Sequence, residues 1–206
     1  MSENLAFKKK KLREEIWIKM EKAGLTIFPK PCFGRIPNFL NVDKAAAKLK
    51  MLPEYKEAKV VLVNPDAAQA PVREMVLRNG KTLVMPTPKL KKGFLIINPD
   101  QTKGKERFAS TIKGAFKLGK ITEKIPKIDF IVEGCVAVDR KGNRLGKGGG
   151  YGDKEIKLAK QLSNHSIKVA VTCHSIQVVA EVPVNEYDEK VDYIATEKEL
   201  IKVERD

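Results

Sequence analysis

Between Gly146 and Gly152 five of seven residues are glycine, with Lys147 inside the run, Arg144 just before it and Asp153 just after it. Glycine lets backbone N–H groups approach an anion closely and takes positive φ at no steric cost, and a helix starting at such a turn adds its partial positive charge. Phosphate is the ligand this chemistry suits. Arg144 brings a planar guanidinium fork and Lys147 a point charge. A plain surface turn is the alternative, but it has little use for so many glycines beside two cations. Neither stock nucleotide pattern fits. In a Walker loop the fifth residue after Gly142 would be glycine and is Lys147, and a GxGxxG reading fails because the third residue after Gly148 is Tyr151. The loop therefore binds phosphate by another scheme, at the centre of a nucleotide-dependent site.

Other residues carry weaker signals. Asp153 stands where a helix should begin, which makes it either a simple N-cap or a hard oxygen ligand. Asp192, taken alone, is a strand-edge acid. His165 and His174 have no evident nucleophile or metal partner, so core or surface roles are expected of them. Cys173 beside His174 ends an apolar run, where a packed thiol is the commoner case. The lysine run Lys8–Lys11 reads as a solvated helix face.

These residues need elements to position them. Leu5, Leu12, Ile16 and Met20 recur at helical spacing, with Trp17 and Ile18 widening the stripe, so residues 4–22 form an amphipathic helix that Gly24 ends. Three prolines between Phe28 and Asn38 forbid a continuous helix or a central strand there. Helical pattern resumes from Val42 to Leu52. Short apolar runs predict strands at Val60–Val63, Thr82–Met85, Phe94–Ile97, Ile128–Val132, Cys135–Val138, Ile167–Thr172 and Val191–Ala195, the last expected to close the sheet. Helices are expected at Pro71–Arg78 and Asp153–Leu162, and at most one near Phe108–Leu118 in the lysine-rich stretch 99–127. Strand, helix, strand at these spacings implies a three-layer α/β sandwich with a mostly parallel sheet and an active face at the carboxyl ends of the strands.

Composition bounds the function. The 206 residues suit one domain spanning 1–206, and no eighteen-residue apolar run is present to cross a membrane. The start MSENLAFKKKKLREE has no apolar core of a secretory signal. Cys32, Cys135 and Cys173 are widely spaced and odd in number, which argues against a disulfide framework and for a reducing, cytoplasmic setting. The net charge of +14 attracts polyanions of any kind. Lysines spread along the chain make a solvated basic surface the first reading and attraction of small anions such as ATP the second. Nucleic acid comes third, because aromatics for base stacking are only 6% of the residues. Monomer and homodimer both stay open.

The string GNRLGKGGGYGD, followed some thirty residues later by VPVNEYDEKVD, Val182 to Asp192, resembles the signature of the 5-formyltetrahydrofolate cyclo-ligase family, also called methenyltetrahydrofolate synthetases. The likeness extends to K-x-x-x-R at Lys9–Arg13, to LPEYKEAK and to NGKTLVMPTP, and is weakest over 99–127. GRIPNF, KVVLVNPD and PTPKLKKG are similar to the subfamily of methenyltetrahydrofolate synthetase domain-containing proteins. The resemblance implies a fold of the NagB/RpiA/CoA-transferase type and ATP- and Mg-dependent conversion of 5-formyltetrahydrofolate to 5,10-methenyltetrahydrofolate. It assigns Lys9, Arg13, Arg144 and Lys147, with the Gly146, Gly148, Gly149 and Gly150 backbone, to ATP phosphates. Arg144 and Lys147 would be catalytic, Tyr151 and Asp66 would contact folate, and Asp153 and Asp192 would hold Mg2+. This chain departs from the family's usual GKGYYD ending: Gly149 stands for a basic residue and Gly152 for a second tyrosine. The glutamate that the family has after its first strand falls here on Asp66 or on Ala70, depending on the side from which the loop is aligned. The alternatives are a cyclo-ligase-like nucleotide-binding module that lacks this reaction and serves RNA, and an enzyme acting on another phosphate-accepting cofactor precursor.

Overall fold

The computed structural model describes residues 2–163 and 166–204. Its α-helices are α1 (Ser2–Lys22), α2 (Val42–Lys48), α3 (Pro53–Glu57), α4 (Ala70–Arg78), α5 (Glu106–Ala109), α6 (Ile112–Leu118) and α7 (Tyr151–Gln161). Its strands are β1 (Val60–Val63), β2 (Thr82–Pro86), β3 (Phe94–Ile97), β4 (Lys120–Thr122), β5 (Phe130–Glu133), β6 (Ala137–Asp139), β7 (Arg144–Leu145), β8 (Lys168–Thr172), β9 (Val178–Val179), β10 (Tyr193–Ala195) and β11 (Leu200–Lys202). Eight strands form one sheet in the order β11-β10-β8-β5-β1-β2-β3-β4, and β7-β6-β9 form a second, small one. The pairs β10-β8, β8-β5, β5-β1 and β1-β2 are parallel.

The central strands are β-branched and apolar because both of their faces are covered. Val61, Val63, Phe130 and Val132 point into one core with α2, α3 and α4, while Leu62, Ile131, Val169 and Val171 point into the other with Ile156 and Ala159 of α7. This alternation gives the expected three layers. A third core joins Ile16, Trp17 and Met20 of α1 to the proline-rich segment and the small sheet. That segment is ordered, with cis peptide bonds at Phe28-Pro29 and Lys30-Pro31.

Four expectations need correction. β3 runs antiparallel to β2, since only the short loop PTPKLKKG joins them and no helix intervenes to carry the chain back. The run Cys135–Val138 leaves the main sheet: β6 starts at Ala137 and pairs with β7 and β9, with Val136 and Ala137 packed in the core of α1 while Cys135 and Val138 stay in the core beside α7. Residues 99–127 hold two short helices and the edge strand β4, whose Lys120 and Ile121 are exposed and so carry no apolar pattern. The sheet closes on β11, antiparallel to β10, and not on β10 itself. Among the described residues no helix is long and apolar enough to cross a membrane.

Candidate active site

The glycine-rich loop connects β7 to α7 and roofs a cleft of about 900 Å³ at the carboxyl ends of β1, β2 and β5. The cleft also takes in Asn64, Pro65 and Asp66 after β1, Arg73 of α4, Thr87 after β2 and Phe28 and Arg35 of the proline-rich segment. Gly148 and Gly150 have φ of 107° and 66°, which only glycine adopts readily, and Gly150 caps α7 without a side-chain hydrogen bond. The first N–H groups of this eleven-residue helix are thus left for an anion.

The two cations of the loop are already engaged. Arg144 is buried under the loop and not free beside it: its Nη2 donates to Asp153 Oδ1 at 2.7 Å and its Nη1 to the Gly134 carbonyl at 3.2 Å. Burial opposes its charge, but Glu133 and Asp153 outweigh this and keep the guanidinium firmly protonated. Lys147 reaches across the cleft mouth to Asp66, with Nζ 2.6 Å from Oδ1. Tyr151 opens α7 at the cleft wall, and Lys154 Nζ stands 5.8 Å from the centre of its ring. From α1, Arg13 Nε donates to the Gly146 carbonyl at 2.7 Å, while the Lys9 ammonium pairs with Asp188.

Asp153 is not the N-cap of α7 but its third residue, and its Oδ1 also accepts from the Glu189 backbone N–H at 3.3 Å. Asp192 is not brought to it. It lies at the amino ends of β8 and β10, where Oδ2 accepts from the Val169 N–H at 2.9 Å and Oδ1 is 3.4 Å from Lys168 Nζ, and it is not among the residues lining the cleft. The placement of Asp192 beside Asp153 is therefore corrected: the segment that approaches Asp153 carries Asp188 and Glu189. One string, VPVNEYDEKVD, contains both Asp188 and Asp192, and only the fold tells which faces the loop. Among the described residues no three His, Cys, Asp or Glu side chains converge to hold a metal unaided. One carboxylate on the cleft wall beside the phosphate loop, that of Asp153, fits Mg2+, which takes one or two carboxylates and completes its shell with phosphate oxygens and water.

Two buried acids were not among the expected site residues. Glu133 ends β5 and Glu155 sits in the first turns of α7, both on the cleft floor. Burial pushes the Glu133 carboxyl up to about 7 despite the pull of Arg144. Burial and the proximity of Glu133 also raise Glu155 well above the ordinary carboxylate range. The available signal was an acid closing an otherwise apolar strand, FIVE, where burial without a partner is costly. Arg73 was missed as well: it is buried and donates to the carbonyls of Asn64, Asp66 and Ser110 at 2.6, 2.9 and 2.7 Å, shaping the loop after β1.

The weaker candidates behave as structural groups. Cys173 is buried, and a hydrogen bond with Cys135, together with burial, raises its thiol well above the range of a nucleophile. His174 Nδ1 accepts from the Ile176 N–H at 3.1 Å and caps a short 3-10 turn, Ser175–Gln177. His165 lies outside the described residues.

Comparison with known proteins agrees with this geometry. Residues 8–197 match the profile of the 5-formyltetrahydrofolate cyclo-ligase family. The chain is 37% identical over 202 residues to the methenyltetrahydrofolate synthase domain-containing protein of Bos taurus, covering 94% of this chain and 53% of that one. For the protein of the same name in Mus musculus the identity is again 37%, over 94% of this chain and 54% of that one. The chain thus spans about half the length of these curated relatives. In fold it is similar to the 5,10-methenyltetrahydrofolate synthetase of Aquifex aeolicus, with a TM-score of 0.62 and 24% identity over 96% of this chain and 94% of that one. The synthetase of Mycoplasma pneumoniae gives a TM-score of 0.55 and 15% identity, over 92% and 98%. With the family profile matched along nearly the whole chain and the glycine-rich loop roofing its main cleft, the chain belongs to the 5-formyltetrahydrofolate cyclo-ligase family.

Proposed function

We propose that the chain converts 5-formyltetrahydrofolate to 5,10-methenyltetrahydrofolate with ATP, and that the cleft under the glycine-rich loop is where this happens. The observation that carries the reading is the junction of an uncapped helix start and a glycine-rich loop with a roomy, partly apolar cleft, so that a phosphate and a bulky acceptor can meet. The formyl oxygen takes the γ-phosphoryl group, the neighbouring amine closes on the activated formyl carbon, and phosphate leaves. Such a transfer asks the protein for positioning and electrostatic stabilisation above all.

In this reading the backbone of Gly146 and Gly148 to Gly150 and the start of α7 hold the phosphates, and Lys147 turns from Asp66 to meet them. Lys9 and Arg13 supply charge from α1. Arg144 acts from beneath, fixing Asp153 and the Gly134 carbonyl, and is a positioning residue. Asp66 and Tyr151 border the acceptor. Asp153 would hold Mg2+, whose role when bound is to neutralise phosphate charge. Incubation of the purified chain with 5-formyltetrahydrofolate, ATP and Mg2+ should yield the methenyl product, followed by its absorbance. No product beside an active control enzyme would refute the reading.

A further inference from the structure

The basic charge of the chain is not spread evenly. Residues 89–127 hold eleven lysines and arginines against three acids, Asp100, Glu106 and Glu123, so these 39 residues carry +8 of the net +14. The other 167 residues together carry +6. All eleven cations are exposed. Among the described residues only Lys103 of the eleven has an ion-pair partner, Asp100 at 3.0 Å. Glu106 is turned away to Arg78 of α4, 3.6 Å from its Nη1, and accepts from the Gly104 N–H.

The fold gathers this stretch at one end of the molecule. β4 is the edge of the eight-stranded sheet and pairs with β3 alone. The loop after β2 lies against it, since a Cβ on Gly93 would run into the backbone of Thr122 and Glu123. α5 and α6 pack on each other, on α4 and on β3. Lys91 and Lys92 of the loop, Lys113 and Lys117 one turn apart on α6, Lys120 on β4 and Lys124 beyond it therefore surround the sheet edge.

Two plainer explanations cover part of this. A lysine on an edge strand discourages pairing with another strand, and Ile121, 45% exposed, is worth guarding. That accounts for Lys120 and not for the loops and helices around it. A heat-adapted surface sets lysines among glutamates in ion-pair networks, and here the glutamates are lacking. Charge of one sign at this density repels itself, and a bound polyanion relieves it.

The kind of polyanion follows from the surroundings. Of the eleven cations Lys89 alone lines the main cleft, so a small anion has no enclosure among the rest. Ten of the eleven are lysines, which protein interfaces avoid. The exposed large apolar side chains nearby are Phe108, Ile112 and Ile121, too few to enter a membrane or to stack a run of bases. An open lysine surface of this composition suits a long chain of regularly spaced phosphates, contacted through its backbone.

We propose that the β4 end of the molecule, residues 89–127, docks the phosphate backbone of nucleic acid without regard to sequence. The surface meets the cleft only at its rim, through Lys89, Thr111 and Ile112, and the inference does not depend on the proposed reaction.

Fluorescence anisotropy of a labelled single-stranded RNA of about 20 nucleotides, and of DNA of the same sequence, tests this between about 50 and 200 mM salt. Binding should saturate and fall steeply as salt rises. The variant Lys113→Gln/Lys117→Gln/Lys120→Gln/Lys124→Gln should weaken it at least about tenfold and flatten the logarithmic salt slope by about 3. Lys44→Gln/Lys50→Gln/Lys56→Gln/Lys59→Gln removes the same charge around α2 and α3 and should weaken it less than about threefold. Should the first variant fail to melt cooperatively, Lys91→Gln/Lys92→Gln/Lys103→Gln/Lys105→Gln decides in its place. Tighter binding of RNA would support the surface and add contacts to the 2′-hydroxyl, and equal binding of RNA and DNA would support contact through phosphates alone. No saturable binding, or equal losses in the two sets of variants, would overturn the proposal. So would displacement of the RNA by ATP and Mg2+, which would put it on the glycine-rich loop. Binding to phosphatidylserine vesicles with none to either nucleic acid would give the surface to a membrane and overturn it as well.

Discussion

Lys147 Nζ lies 2.6 Å from Asp66 Oδ1, joining the glycine-rich loop to the loop after β1 across 81 residues of sequence. The pair closes the mouth of the cleft with a charge that a phosphate would compete for. Removing Lys147 (Lys147→Ala) should weaken ATP binding about tenfold, in line with a charge-assisted contact. Asp66→Asn, which releases the ammonium, should tighten it about two- to threefold. Because Lys147 is 42% exposed, the pair itself contributes only about 0.2–1 kcal/mol, and neither change should move the melting temperature much. Titration calorimetry with ATP checks this, and affinity moving the same way in both variants would refute the competition.

Arg144 calls for a different experiment, since it is buried between Glu133 and Asp153. Arg144→Ala leaves both acids without their counter-charge and should destabilise the fold by about 3–5 kcal/mol. Loss of ATP binding in that variant would say little about contact. Asp153→Asn keeps the shape and the hydrogen bond to Arg144 while removing one charge. It should melt close to the parent protein and lose most turnover if Asp153 holds Mg2+. Raising the Mg2+ concentration should restore part of that turnover, which a purely structural role would not allow.

Where the sequence was legible, and where it was not, follows from how local each signal is. Val60–Val63 and Phe94–Ile97 matched to the residue because a doubly covered strand must be apolar throughout. The loop could be read as a phosphate cradle because glycine density acts on the backbone directly. The direction of β3 and the departure of Cys135–Val138 to a second sheet depend on connection length and on what α1 covers, and neither is written in the strands themselves. Site residues divide the same way. Asp188 and Asp192 sit four residues apart in one motif, and only the parallel pairing of β8 and β10 sends Asp192 to the amino ends of the strands. Glu133 and Glu155 come from separate elements, and their shared burial is a tertiary property.

The raised Glu133 carboxyl makes a signed statement about stability. Its ordinary value is 4.5 and its folded value about 7, so the folded state keeps a proton that the unfolded chain gives up in that interval. Stability from this group is present below about pH 4.5 and lost as pH rises to 7. The melting temperature of Glu133→Gln should therefore gain on the parent protein steadily from pH 5 to pH 8. Glu133→Gln also removes the carboxylate that helps to raise Glu155, so the difference between the two curves reads the buried pair of Glu133 and Glu155 together. A constant difference across that range would show that Glu133 is not held protonated.

Gly152 ties the loop to the floor beneath it. A Cβ at this position would meet Glu133 Oε2 at 2.8 Å and the two terminal nitrogens of Arg144 at 2.9 and 3.1 Å, and none of these atoms can retreat from a packed site easily. Gly152→Ala should cost about 1–3 kcal/mol, the usual penalty of overpacking. This holds although alanine is the better helix former at an early position of α7. If the clash with Glu133 is the cause, shortening that side chain should relieve it. The double variant Gly152→Ala/Glu133→Ala should then be more stable than the sum of the single changes predicts, with a coupling of about 0.5–3 kcal/mol. Denaturant unfolding of the four proteins measures the cycle, and strict additivity would mean that the loop accommodates the methyl group by moving away from the floor.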